Sequence, residues 1–212
     1  MGLAAFGTTI FTVSLFHVGI VVEAAPVVIP LSLFFGGLVQ LLAGLVEFKS
    51  GSTFGATAFC SYGAYWLGYA LYVAVVSTDI PASELHTANG IFDLPWVVLT
   101  LYLTVAATRT TGVLLTLFSF TTITLVVVCI ANFIDSLTLL RWGGGFGLAA
   151  AGTAWYASFA GLVNVTWGRH LIPTFPDPGS RIAHLAQNKG RANSITSSAG
   201  ERSDSPTSER KG

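Results

Sequence analysis

Six apolar runs follow one another along this chain, at about 2–22, 26–46, 53–77, 89–108, 112–134 and 143–167. An α-helix crossing a hydrocarbon layer about 30 Å thick needs roughly 20 such residues. Each run is bounded by charge, proline or glycine, and the connections are short apart from Ser77–Leu94. The competing fold, a soluble helical bundle, needs a charged outer face on every helix. These runs carry none. Only 9% of the 212 residues are charged and 52% are hydrophobic, against about 25% charged in an ordinary soluble domain. The sixth run is rich in glycine (Gly143, Gly144, Gly145, Gly147, Gly152), which membrane helices tolerate better than helices in water. The expected fold class is an all-α integral membrane protein with six transmembrane helices over residues 1–175. Residues 176–212, rich in Ser, Thr, Gly, Arg and Lys, have too little apolar surface to fold and are expected to be a disordered tail. Ser205-Pro206 and its neighbouring serines offer phosphorylation sites there, against the plainer reading of a solvated tail.

The balanced totals of ten basic and ten acidic residues conceal an asymmetry. Between 1 and 170 the charges are Glu23, Glu47, Lys49, Asp79, Glu84, Asp93, Arg109, Asp135, Arg141 and Arg169; the tail holds six more basic and four more acidic residues. With six spans both termini share a side. If that side is the cytosol, Lys49, Arg109, Arg169 and the tail lie inside, leaving Arg141 alone among the basic residues outside. Lys and Arg favour the cytosolic side, so cytosolic termini and a multi-pass protein of the plasma membrane are expected. The Asp79, Glu84 and Asp93 group then belongs to an outer connection. Asn164-Val165-Thr166 has the glycosylation pattern but lies at the inner end of the last helix, out of reach of that machinery. Met1-Gly2-Leu3 lacks the basic start of a signal peptide, and its apolar run continues to Val22.

Several functions drop out. No dense basic face is available for nucleic acid. No span holds a lysine for a retinal Schiff base or an arginine ladder for voltage sensing. Metalloprotease, Walker A and nucleophile-elbow patterns are absent, and His17 and Asp135 make no plausible catalytic pair, so no enzyme, cofactor or metal is expected. Cys60 and Cys129 lie in apolar runs without metal or disulfide spacing and read as small packing residues.

What the spans do carry is uncharged polar groups. Gly55, Ala58 and Ser61 step by three along one stripe of the third run, with Thr57 and Tyr62 close by; Gln40 lies in mid-span of the second run; Ser119, Thr122 and Asn132 lie in the fifth. A polar side chain facing lipid would go unsatisfied at a cost of several kcal/mol. Such groups must therefore face other helices, as interhelical glue, or a wet path. For the small hydroxyls glue is the simpler reading; for Gln40 and Tyr62 both stay open. Small residues four apart, Gly143/Gly147 and Ala157/Gly161, allow close helix approach within or between protomers.

At the third run the chain resembles a known family, the acetate uptake (succinate–acetate permease) family. The segments that carry the resemblance are Gly2–Thr9, GLAAFGTT; Gly36–Phe48, GGLVQLLAGLVEF; Thr53–Trp66, TFGATAFCSYGAYW; and Gly161-Leu162-Val163-Asn164 with Gly168-Arg169 and Leu171-Ile172-Pro173. They reach from residue 2 to 173, with a weaker match between 78 and 150. The resemblance implies a small-monocarboxylate carrier or channel, for acetate with succinate or other short acids as further candidates, assembled as a homo-hexamer with a central path through each protomer's bundle. It implies a constriction formed by apolar or aromatic residues of the first, third and fifth helices, here Phe6, Tyr62 and Phe120, the last standing where leucine is usual. Gln40, Thr57, Ser61, Asn132 and Asn164 are candidates to line or brace the path. The family's opening Asn-Pro-Ala-Pro-Leu-Gly-Leu stretch is represented here by Met1-Gly2-Leu3 alone, so either the chain starts short of it or this member lacks it. Proton symport and anion conduction both remain open, as do a receptor or signalling scaffold acting through the tail and a channel for another small solute such as ammonia.

Overall fold

The computed structural model of the protein describes residues 1–175 and Asp177. The tail expected from residue 176 onward lies, Asp177 excepted, outside the described residues. Among those described, every regular element is helical: α1 (Gly2–His17), α2 (Val22–Lys49), α3 (Thr53–Ala74), α4 (Leu85–Ala107), α5 (Gly112–Phe133) and α6 (Leu137–Thr166).

Hydroxyl side chains start three of them. Ser52 Oγ accepts from the Gly55 amide at 3.3 Å, Thr111 Oγ1 from Leu114 at 3.2 Å and Ser136 Oγ from Leu139 at 3.4 Å; each satisfies a donor that the first helical turn leaves over. The ends differ from those expected. The first helix stops at His17 instead of running to Val22, because Gly19 and Val21 turn the chain with φ of 97° and 43°. At 16 residues it is about 24 Å long, short of a full crossing, whereas the other five are long and apolar enough to span. The sixth begins at Leu137, six residues before the glycine run, and extends for 30 residues.

The second span is not a uniform α-helix. A 3₁₀ turn, Val22–Val27, leads into an α-helical turn, Val28–Leu31, a π-helical stretch, Ser32–Val39, and an α-helix, Gln40–Lys49. Such widened turns are rare and concentrate at functional sites.

Neighbouring helices in the chain run antiparallel, and α6 returns to pack on α1, so the six close a ring. Glycine permits a close backbone approach between α2 and α3: a Cβ at Gly63 would come within 2.7 Å of the Leu41 amide nitrogen and 3.0 Å of the Gly37 carbonyl oxygen. On α6 the two glycines of the small-residue pair serve different neighbours, Gly143 meeting Val128 of α5 and Gly147 meeting Ser14 of α1. Ala157 is buried, but Gly161 faces open space in the protomer. The outer surface is apolar, with Leu45, Val105 and Val165 at least half exposed, a surface suited to hydrocarbon rather than to water.

One end of the ring carries Glu23, Asp79, Glu84 and Asp135 with Arg141, and the other carries Lys49, Arg109 and Arg169 with Glu47. They are called here the acidic and the basic end.

Candidate functional site

Two cavities lie inside the ring, each of about 200 Å³. The one toward the acidic end is lined by α1, α3, α4 and α5, with Leu140 of α6; the one toward the basic end is lined by α1, α2, α3 and α5. Three side chains belong to both: Phe6, Tyr62 and Thr121. The cavities are thus separated at one level by residues of α1, α3 and α5.

The separation is built from aromatic edges. Phe6 and Tyr62 meet edge-on with centroids 5.1 Å apart, and Phe118 stands 6.3 Å from Tyr62 on the other side. Edge-to-face pairs at such distances are favourable beyond their buried area. Tyr62 is fixed at its far end as well. Its hydroxyl lies 2.7 Å from Thr100 Oγ1, whose own hydrogen goes to the Trp96 carbonyl at 2.7 Å. Tyr62 is therefore the donor, and its ring is held between α1 and α4.

Below this level, toward the basic end, Gln40 is fully buried and lines the cavity. Neither its Oε1 nor its Nε2 has a hydrogen-bond partner among the described residues. A buried amide left this way costs about 1–3 kcal/mol, and natural structures rarely retain one without a use. Glu47 and Ser52 line the same cavity nearer its mouth. Above the separation the lining is richer in polar groups. Asn132 Nδ2 donates to Asp93 Oδ2 at 3.0 Å, and the Tyr72 hydroxyl donates to Asn89 Oδ1 at 2.6 Å. Ser14 Oγ, His17 Nδ1 and Trp66 Nε1 also line this cavity and are buried without a protein partner.

The structure brings some of the expected residues together and separates others. Phe6 and Tyr62 are in contact; Gln40 lines the basic-end cavity and Asn132 the acidic-end one. Phe120 lines neither. It lies instead at a shallow depression between α5 and α6, with Thr116, Thr153 and Tyr156. Its expected place beside Phe6 and Tyr62 is held by Phe118, Leu117 and Thr121, the last two each 2% exposed. The physical reason is helical geometry: two residues along an α-helix rotate a side chain by about 200°, so Phe118 and Phe120 face opposite ways. Thr57 and Ser61 are half-buried on α3 and line none of these cavities. Asn164 is a brace. Its Oδ1 accepts from the amides of Leu171 and Ile172 at 2.8 and 2.9 Å, and its Nδ2 donates to the Ile172 carbonyl at 2.9 Å.

Asp93 is the group that sequence reasoning misplaced. Grouped with the outer connection, it sits two turns inside α4, 6% exposed. The signal was present in the sequence: an acid within an apolar run of spanning length is a functional candidate by default. The thiols read as packers. Cys129 Sγ donates to the Gly90 carbonyl at 3.5 Å between α5 and α4, and Cys60 approaches the Leu41 carbonyl at 4.0 Å.

A ring of six apolar helices, five of them long enough to span a bilayer, enclosing two cavities that meet at Phe6, Tyr62 and Thr121, defines a polytopic membrane protein. Comparison with known proteins agrees. The chain belongs to the GPR1/FUN34/yaaH family, whose match covers residues 1–178. It is 36% identical to "Accumulation of dyads protein 2" of Saccharomyces cerevisiae, over 85% of this chain and 66% of that protein. It is 35% identical to the same yeast's "Ammonia transport outward protein 2", over 76% of this chain and 60% of that one. The chain thus spans slightly under two thirds of the length of these yeast relatives. The Escherichia coli "Succinate-acetate/proton symporter SatP" is 30% identical and is covered over 92% of its length. The solved structure of the bacterial acetate channel SatP superposes with a TM-score of 0.77 at 28% identity, covering 82% of this chain and 96% of that one.

Proposed function

We propose that this protein moves small monocarboxylates, acetate first among them, along the path inside each protomer, and that Phe6, Tyr62 and the α5 residues beside them form its constriction. The observation that carries the reading is the meeting of two cavities at Phe6, Tyr62 and Thr121, in a fold shared with an acetate channel. Cavities of about 200 Å³ are below the roughly 300–1,000 Å³ of drug-sized sites and suit an acid of two to four carbons. In the basic-end cavity the unpaired amide of Gln40 offers a donor to a carboxylate; among the described residues no lysine or arginine lines either cavity. A fixed cation would hold the anion too firmly for release. One neutral donor beside an apolar constriction lets it bind weakly and leave.

The same reading has the protein as a homo-hexamer in the plasma membrane with both termini in the cytosol, supported by the distribution of Lys49, Arg109 and Arg169 at one end and by the resemblance to SatP. A second substrate, ammonium or ammonia, is favoured by one specific observation: yeast relatives carry the name ammonia transport outward protein.

Uptake of labelled acetate into liposomes holding the purified protein, corrected for empty liposomes, tests both. Acetate entry well above background is expected, and Tyr62→Ala and Phe6→Ala are expected to admit larger acids or to change the acetate rate several-fold. Wild-type rates and selectivity in both variants would remove these rings from the path. Ammonium flux without acetate flux would transfer the function to the second substrate.

A further inference from the structure

A carboxylate on the wall of a path for carboxylates is paradoxical, because two like charges repel in a poorly solvated cavity. Asp93 is such a group. It lies within α4, 6% exposed, and lines the acidic-end cavity. Among the described residues its single hydrogen-bond donor is the Asn132 amide, 3.0 Å from Oδ2. The titratable groups that face the same cavity are His17 on α1 and Tyr65, Tyr69 and Tyr72 on α3, while Cys129 of α5 bonds to the Gly90 carbonyl one turn before Asp93. From α6 the lining is Leu140, and no lysine or arginine among the described residues contributes. A buried carboxylate is ordinarily retained with a cation or several donors around it. One amide is a thin escort for a permanent charge, but it is sufficient for a carboxyl group that is charged only part of the time.

We infer that Asp93 is the proton-binding group of the path: it takes a proton at the acidic-end cavity and gives it to the passing carboxylate. The inference rests on the carboxylate-transport reading above. In chemical terms, the Asp93 carboxylate accepts H⁺ from water at the cavity mouth and becomes the neutral acid. It then transfers that proton to an acetate oxygen, regenerating its own carboxylate and forming acetic acid. The neutral acid passes the Phe6–Tyr62 constriction and releases H⁺ to water beyond it. Nothing charged crosses the apolar level, which removes the desolvation cost that a bare anion would meet there. Asn132 is the positioning residue; it holds Oδ2 and leaves Oδ1 for the exchange.

The bland reading is that Asp93 and Asn132 merely tie α4 to α5. Asp93→Asn separates the two, because an Asn–Asn pair preserves the interhelical bond while removing the proton site. The readout is the charge moved per labelled acetate, measured electrically on proteoliposomes and compared with tracer uptake; diffusion of acetic acid through lipid is electrically silent. The wild type is expected to move close to no net charge per acetate. Asp93→Asn is expected to move one negative charge per acetate, and Asp93→Glu to return toward neutrality. An Asp93→Asn variant with the wild-type ratio, or a wild type that itself carries one negative charge per acetate, overturns the inference while leaving acetate transport standing. A wild type that moves no acetate at all defeats the transport reading instead. Should Asp93→Asn transport nothing, Asp93→Glu decides: neutral transport supports the proton role, and inactivity passes the question to infrared titration of the purified protein. There, the pH-dependent carbonyl band of a protonated carboxyl, present in the wild type and missing in folded Asp93→Asn, supports the inference; its persistence overturns it.

Discussion

Gln40 is the side chain at which stability and the proposed function can be set against each other. It is fully buried, and both ends of its amide lack a protein partner, although the residues around it are apolar enough to pack a leucine. Leucine at this position removes the unpaired amide and keeps roughly the same volume, so it should relieve a cost of about 1–3 kcal/mol. Gln40→Leu is therefore expected to unfold at an equal or higher temperature than the wild type in detergent. If the amide binds passing carboxylates, acetate uptake should fall about tenfold, the equivalent of one hydrogen bond of roughly 1.4 kcal/mol. Stability and function then move in opposite directions, as they do where a strained or unsatisfied group is kept for its activity. A variant that is stabilised and transports at the wild-type rate would reduce Gln40 to a packing residue. Thermal unfolding by intrinsic tryptophan fluorescence and liposome uptake, done on the same preparation, check both halves.

At the scale of the element, the close contact of α2 with α3 is the most demanding packing in the bundle. Gly63 faces the π-helical stretch and the start of the following α-helix, where a Cβ would meet Leu41 N at 2.7 Å, Leu41 Cα at 2.9 Å and Gly37 O at 3.0 Å. Backbone atoms cannot swing aside, so α2 itself must shift. Gly63→Ala is expected to lose about 1–3 kcal/mol, the range for overpacked interiors, and to lower uptake because Gln40 adjoins Leu41. Gly145→Ala is the matched control. Nothing lies within 4 Å of its added methyl, and alanine is favoured over glycine in a helix by up to about 1 kcal/mol, so its melting temperature should hold or rise. Equal losses in both would mean that helix propensity, and not the α2–α3 approach, governs this family of substitutions. The spans themselves were legible in the sequence because hydropathy and length answer to a single solvent, the bilayer. Their faces were not. In α5, Leu114–Phe118 and Ile123–Cys129 are apolar almost all round, so no polar stripe told which of Phe118 and Phe120 looked inward, and a two-residue uncertainty became a half-turn. The π-helical stretch was equally hidden, since Ser32–Val39 has no residue type that demands it. Phe6, Tyr62 and Gln40 lay in the segments that carried the family resemblance and line the cavities; Asp93 was passed over because it was counted with the neighbouring loop charges.

For the whole molecule, orientation follows from charge rather than from packing. The ring of helices is equally sound either way up, and its internal contacts are identical in both. What differs is the position of Lys49, Arg109 and Arg169, gathered at one end, against Glu23, Asp79, Glu84 and Asp135 at the other. Retaining basic residues on the cytosolic face is the stronger of the two tendencies, since acidic residues contribute little to orientation. Arg141 is the exception, and it sits one turn into α6 beside Gly19, 3.6 Å from the position a Cβ there would take. One positive charge against three favours a single orientation, and the expectation can be measured residue by residue. With Cys60 and Cys129 replaced by alanine, Asp135→Cys should react with a membrane-impermeant maleimide on intact cells, because Asp135 is exposed in the turn between α5 and α6. Lys49→Cys, exposed at the opposite end of α2, should react only after the cells are permeabilised. The reverse pattern would turn the molecule over, put the Asp93 cavity at the cytosolic face and make the proton enter from inside. Labelling of both positions on intact cells would mean that the population is mixed and that these few charges do not suffice to decide it.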